Sequence, residues 1–180
     1  MGVTTTTASA ATYVPIATQT LGSNTATVTF SSINGSYTDL VIVGSAGYDT
    51  VAANLSMRVG NGSVDTGNNY SNTEIVGSGS SAGSERNANI GFMQINRGGG
   101  GGNGSTIDSN FVLHLMNYAN TSTYKTALVR YNQTDGTYPV TSVIVNLWRS
   151  TAAVNTITLF QTSGNILAGS TFTLYGVKAA

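Results

Sequence analysis

The sequence predicts an all-β fold: an antiparallel β-sandwich of jelly-roll type, about ten short strands behind a short N-terminal arm. Three observations predict it. Apolar residues alternate with polar ones at period two along most of the chain. Asn-Gly and Asp-Gly pairs punctuate these runs where tight hairpins need them. Thr, Ser, Asn and Gly make up nearly half of the 180 residues, and all four disfavour helix interiors.

Residues 1–12 (MGVTTTTASAAT) are small, polar and aperiodic, and read as an arm that something outside the domain would order. Residues 13–180 read as one domain, a length within the usual range of roughly 100–200 residues. From Tyr13 the alternation begins. Ala26, Val28 and Phe30 share one strand face, and Thr25, Thr27 and Thr29 share the other. The apolar run Asp39 to Gly44 suits a strand buried on both faces.

Leu55, Met57 and Val59 alternate ahead of Gly60-Asn61-Gly62, and Ile90, Phe92 and Ile95 mark a further strand. Phe111, Leu113 and Leu115 alternate with Val112, His114 and Met116. Ala127-Val129-Tyr131, the run Val143-Ile144-Val145 ending near Trp148, Ile157-Leu159 and Phe172-Leu174 with Tyr175 complete the set. Asn-Gly at 34–35, 61–62 and 103–104 and Asp-Gly at 135–136 supply positive-φ turn residues. Five glycines at Gly98–Gly102 predict a flexible loop between two strands.

Composition narrows function. Charged residues are 8% of the chain, seven basic against seven acidic, where an average soluble domain has about 25%. Nucleic-acid binding needs clustered Lys and Arg, and a membrane span needs about 20 consecutive apolar residues; neither pattern occurs. Hydrophobic residues at 40% and aromatics at 8% supply a core and argue against disorder. No cysteine is present, which excludes disulfides, thiolate metal sites and a Cys nucleophile. No basic segment precedes an apolar one at the N-terminus, so no secretory signal is expected. The Met1-Gly2 start matches a myristoylation pattern, and sequons such as Asn34-Gly35-Ser36 occur. Both follow from composition.

Catalytic motifs are sparse. His114, the one histidine, sits inside the strand pattern FVLHLM and reads as partly packed. Gly79-Ser80-Ser81-Ala82-Gly83 matches a nucleophile elbow, but no helical periodicity follows it. Gly99, Gly101 and Gly104 match a dinucleotide fingerprint, but a strand follows where a helix is required. Five Asp and two Glu offer no selected acid/base pair for glycoside hydrolysis. Asp65-Thr66-Gly67-Asn68-Asn69 lacks the closing acidic ligand of a Ca²⁺ loop and reads as an Asx-type turn. No catalytic residue, cofactor or metal is expected.

The stretch Gly62-Ser63-Val64-Asp65-Thr66-Gly67-Asn68-Asn69-Tyr70-Ser71 resembles a segment of small structural proteins and fibre-type modules of tailed bacteriophages. Three further stretches resemble the same family in the same order. They are Ser32-Ile33 with Tyr37 to Val43, Met116 to Thr121 with Tyr124 to Thr126, and Leu147 to Ala153. Ile157-Thr158-Leu159, Ser163-Gly164-Asn165 and Ala168 to Val177 continue the match, and the whole covers roughly residues 30 to 178. The chain departs from that pattern in lacking an aromatic near Val59–Gly60.

The resemblance implies a non-enzymatic virion structural protein on the particle surface, homo-oligomeric and expected as a trimer. Its partners would be its own copies, the major capsid protein or tail proteins, and in one alternative a host-surface glycan. With a short arm in place of a shaft, a capsid decoration (cement) protein is expected ahead of a tail, fibre or baseplate-associated receptor-binding module. Tyr13, Asp65, Asn69, Tyr70, Tyr118 and Tyr124 are the candidate interface or ligand contacts, because amphipathic Tyr and loop Asn or Asp recur at interfaces and sugar sites.

Overall fold

The computed structural model describes residues 12–50, 54–96, 107–134 and 139–178. Thirteen strands and no helix occur among them. They are β1 (Tyr13–Thr20), β2 (Thr27–Phe30), β3 (Asp39–Gly47), β4 (Leu55–Asn61), β5 (Ser63–Val64), β6 (Tyr70–Ser78) and β7 (Ser81–Ile90). Then come β8 (Met93–Gln94), β9 (Ile107–Met116), β10 (Lys125–Thr134), β11 (Pro139–Trp148), β12 (Thr156–Gln161) and β13 (Thr171–Val177).

One sheet has eight strands in the order β1-β13-β3-β9-β10-β11-β6-β7; the other runs β2-β12-β4-β5, with β8 also on β4. Every strand pairing is antiparallel. The subset β1-β13-β3-β9 facing β2-β12-β4-β8 has the strand order of a jelly roll. The predicted fold class is therefore present, with two additions. Strands β10 and β11 follow β9 and widen one sheet, and the hairpin β6–β7 extends it to its edge.

The core lies between the sheets where the alternation placed it. Val28, Phe30, Leu40, Ile42, Leu55, Met57 and Val59 are buried, as are Leu113, Leu115, Ile157, Leu159, Phe172 and Leu174. Threonine fills the opposite faces in cross-strand hydroxyl pairs. Thr18 meets Thr173 at 3.1 Å, Thr20 meets Thr171 at 3.1 Å and Thr29 meets Thr158 at 2.9 Å.

Beneath the added strands buried amides are interleaved with apolar residues such as Val129, Ile144 and Trp148. Gln94 N donates to Asn146 Oδ1 at 2.8 Å and Asn146 Nδ2 returns a bond to Gln94 O at 2.9 Å, clamping β8 onto β11. Asn72 Nδ2 reaches Gln94 Oε1 at 3.2 Å, and Asn96 Oδ1 accepts from Leu55 N at 2.5 Å. These amides complete backbone bonding that so short a strand leaves open.

Several local expectations are corrected. β3 is buried on both faces only in part: on its outward side Val41 is buried, but Val43 is 43% exposed. Ile90 and Ile95 do not share a strand: β7 ends at Ile90, and the chain bends at Gly91 and Phe92 before β8. The hairpin β6–β7 answers to no predicted pair. Its turn is Gly79-Ser80, with Gly79 at φ 63°, the positive φ that a II′-type turn requires at its first central position. Asn34-Gly35 is not a positive-φ turn either. Asn34 Oδ1 instead accepts from Ser36 N at 3.0 Å, an Asx turn, and the left-handed residue is Ser32.

Of the predicted arm, residues 1–11 lie outside the described residues, as do the polyglycine segment, the 103–104 and 135–136 turns and Tyr138. Thr12, just ahead of β1, is tied to the chain beyond β13, its carbonyl accepting from Lys178 N at 3.0 Å.

Gly60 explains why this chain has no bulky residue there. A Cβ at Gly60 would lie 1.9 Å from the Ser63 carbonyl oxygen, so the β4–β5 turn folds directly over it. Gly60→Ala is expected to cost about 1–3 kcal/mol through overpacking against backbone. Urea unfolding of the variant beside the parent chain checks this; an unchanged midpoint would contradict the close approach.

Candidate functional site

The loop between β5 and β6 is organised by one carboxylate. Asp65 Oδ1 accepts from Gly67 N at 2.7 Å, closing the expected Asx turn. Its Oδ2 accepts from Asn69 Nδ2 at 2.9 Å and from Trp148 Nε1 at 2.8 Å. Both oxygens thus face N–H donors, the opposite polarity from a cation site.

Burial works to raise the Asp65 pKa, but the bonds from Trp148, Asn69 and Gly67 and the charge of Arg58 outweigh it, leaving a net value below 3.8. Tyr70 follows directly. It is fully buried, its hydroxyl donates to Asp65 O at 2.8 Å and accepts from Val59 N at 3.3 Å, and its ring stacks on Trp148 at 6.4 Å. Burial pushes its phenol well above the ordinary value.

Arg149 fastens the same corner from the other side. Its guanidinium donates to Asn68 O at 2.9 Å, Asn89 Oδ1 at 2.9 Å and Ser71 Oγ, and its backbone N donates to Asn69 O at 2.9 Å. Trp148 and Arg149 each have a hydrogen-bonding task at this corner. Among the described residues the cation–π contact is Arg58 over Phe160, 4.5 Å from the ring centroid.

Tyr118 is also fully buried. Its hydroxyl donates to Asn34 O and accepts from Tyr37 N at 3.3 Å, and its carbonyl accepts from Val154 N at 2.8 Å. Burial raises its phenol pKa. Lys125 is enclosed nearby, its Nζ donating to Thr123 O at 2.7 Å and Thr151 O at 3.2 Å. Burial lowers its pKa.

Of the six candidate contacts, Tyr70 and Tyr118 have no exposed surface within one chain, where their hydroxyls hold loops. Asp65 is half-buried and its carboxylate is turned inward. Tyr13 and Tyr124, each 54% exposed, and Asn69 remain at the surface. The register brings all six toward one end of the large sheet, because Tyr13, Lys125, Trp148 and Tyr70 lie at or next to that end of their strands. They do not form one site. Tyr13 on β1 and Tyr70 on β6 are six strands apart, roughly 29 Å at the usual spacing.

Sequence reading passed over two arrangements. His114 Nε2 lies 2.9 Å from Asp39 Oδ2, and Asp39 Oδ1 accepts from Asn117 N at 2.7 Å. Only the β3–β9 pairing unites residues 75 positions apart. The residues directly across from His114 are Val41 and Leu128, and Tyr13 lines the same shallow depression. Asp49 repeats the Asp65 pattern at another loop, accepting from Asn165 N at 2.7 Å and Asn165 Nδ2 at 2.9 Å. These bonds, the backbone one first, lower its pKa.

Compared with protein-family models, with curated proteins and with solved structures, the chain matches none.

Proposed function

We propose that this chain is a non-enzymatic structural subunit of a tailed-phage virion, assembling with its own copies on the particle surface, first as a capsid decoration (cement) protein. One observation carries the reading. The four separated stretches that bear the resemblance are tied to one another in two knots at one end of the sandwich. Tyr37 to Val43 meet residues 116–126 through Tyr37 N with the Tyr118 hydroxyl and through Asp39 with Asn117 N. Residues 62–71 meet residues 147–153 through Asp65 with Trp148 and through Asn68 and Ser71 with Arg149. Lys125 to Thr151 joins the two knots.

Segments recurring in this order are thus a frame, and the acids and bases within them are spent on holding turns. Asp39, Asp65, Lys125 and Arg149 all bond to backbone at loops or strand ends, as Asp49 does outside these segments. A subunit that must keep its shape while bound to siblings needs that rigidity, and a formal net charge of zero leaves little repulsion between copies.

A tail- or fibre-associated module binding a host receptor or glycan is the second reading, favoured by exposed Tyr13, Tyr124 and Asn69. Quantitative mass spectrometry of purified virions separates the two. A decoration protein is expected at hundreds of copies per particle and a tail module at a few tens or fewer. Absence from the particle would overturn both.

A further inference from the structure

We propose that the outward face of the eight-stranded sheet is the surface on which a second copy of this chain docks, an inference that rests on the assembly reading above. Cross-strand register aligns an aliphatic band there. Ile75 lies opposite Val143, Val143 opposite Arg130, Arg130 opposite Val112, and Val112 opposite Val43. In the adjacent row Val145 faces Leu128.

Ile75 is 65% exposed, Val145 51%, Val143 44% and Val43 43%. Exposed β-branched residues are unremarkable singly, but a contiguous band over five adjacent strands marks an interaction surface. These strands belong to the widened part of the sheet, β10, β11 and β6, together with β9 and β3. The additions to the jelly roll therefore build this face.

Three observations select a second copy as the occupant. The first is size. Eight strands at the usual spacing make a face roughly 35 Å by 30 Å, about 1,000 Å², where a standard interface needs about 800 Å² per partner. The second is charge. Arg130 is the one charged residue inside the band, and among the described residues no carboxylate pairs with it. Asn110, Asn132 and Thr141 line the same shallow depression as Arg130, so an identical face offset by a few residues offers the neutral acceptors it needs. The third is the chemistry of the band itself. One guanidinium is too little for a polyanion, and the aromatic bordering the band, Tyr13, stands at the end of the sheet beside Val112, His114 and Leu128 rather than among the exposed aliphatics of β11 and β6.

Sedimentation velocity of the full chain tests this. The parent is expected to sediment as a closed oligomer at micromolar concentration. Val143→Lys with Val145→Lys on β11, and separately Ile75→Lys on β6, are expected to weaken association by about a hundredfold or more through like-charge contact. Circular dichroism should remain unchanged, because each position already faces solvent within one chain, and melting should fall no further than that of the parent diluted below its association range.

The chain has no cysteine, so Val145→Cys supplies a second reading: maleimide labelling slow in the oligomer and fast on dilution. A monomeric parent, or labelling equally fast at all concentrations, overturns the proposal. Oligomers that persist in the lysine variants also overturn it, while leaving the virion reading standing on its own particle-composition test.

Discussion

Tyr70→Ala is expected to lower the unfolding free energy by about 3–5 kcal/mol, the usual cost of emptying a large aromatic site. For a domain whose total stability is about 5–15 kcal/mol, that brings the chain close to its unfolding threshold. Two losses combine. The ring leaves a void beside Trp148, and Val59 N loses its hydroxyl partner. Tyr70→Phe isolates the second loss and should cost about 1–2 kcal/mol. Equilibrium urea unfolding followed by tryptophan fluorescence checks both, since Trp148 stacks on the substituted ring. A near-neutral Tyr70→Ala would show that the corner is not the frame described. The result also bears on ligand experiments: lost glycan binding in Tyr70→Ala reports unfolding unless a folding control is run beside it.

The second large effect is expected at Asp65. Asp65→Ala strands three donors, one of them on the buried Trp148. A buried donor left without its acceptor costs about 1–3 kcal/mol, and charge-assisted bonds fall at the upper end, so a loss of about 3 kcal/mol is expected. Asp65→Asn keeps an acceptor for one donor but turns an amide N–H toward another, and should fall between parent and alanine.

The pH dependence follows from the depressed pKa. The folded value lies below 3.8, so the folded state holds this proton less tightly than the unfolded chain does. The contribution is complete above the unfolded value near 3.8 and is lost as pH falls through the lower folded one. Asp49 acts in the same direction. Melting temperature measured from neutral pH down through this range should drop more steeply for the parent than for Asp65→Asn. Parallel curves would mean that the carboxylate is not held by those donors.

Particular residues show why some of this was legible in the chain and some was not. Val28 and Phe30, Leu113 and Leu115, and Ile157 and Leu159 announce core-facing strands because each pairs aliphatic alternation with polar neighbours. The Asp65 turn was legible because Asx geometry is local, needing only the residues that follow.

The β6–β7 hairpin was not. Ser81–Ile90 packs little of its surface and lies at the sheet edge, where backbone bonds hold a strand that carries no apolar code. The buried amides of Asn72, Gln94 and Asn146 were hidden for the reverse reason: amide residues signal surface, and only the clamp between β8 and β11 makes burying them tolerable. Tyr70 and Tyr118 were read as interface anchors because phenols suit either setting, and only the tertiary partners of their hydroxyls decide. His114 with Asp39, and Trp148 with Asp65, depend on pairings across 75 and 83 residues that no local pattern encodes.

The virion assembly reading is tested most directly by imaging intact particles at a resolution that traces strands. The predicted result is this two-sheet unit repeated over the head surface, with the Ile75, Val143 and Val145 face buried against a sibling. Particles with no such unit on head or tail, together with an isolated chain that stays monomeric, would contradict it.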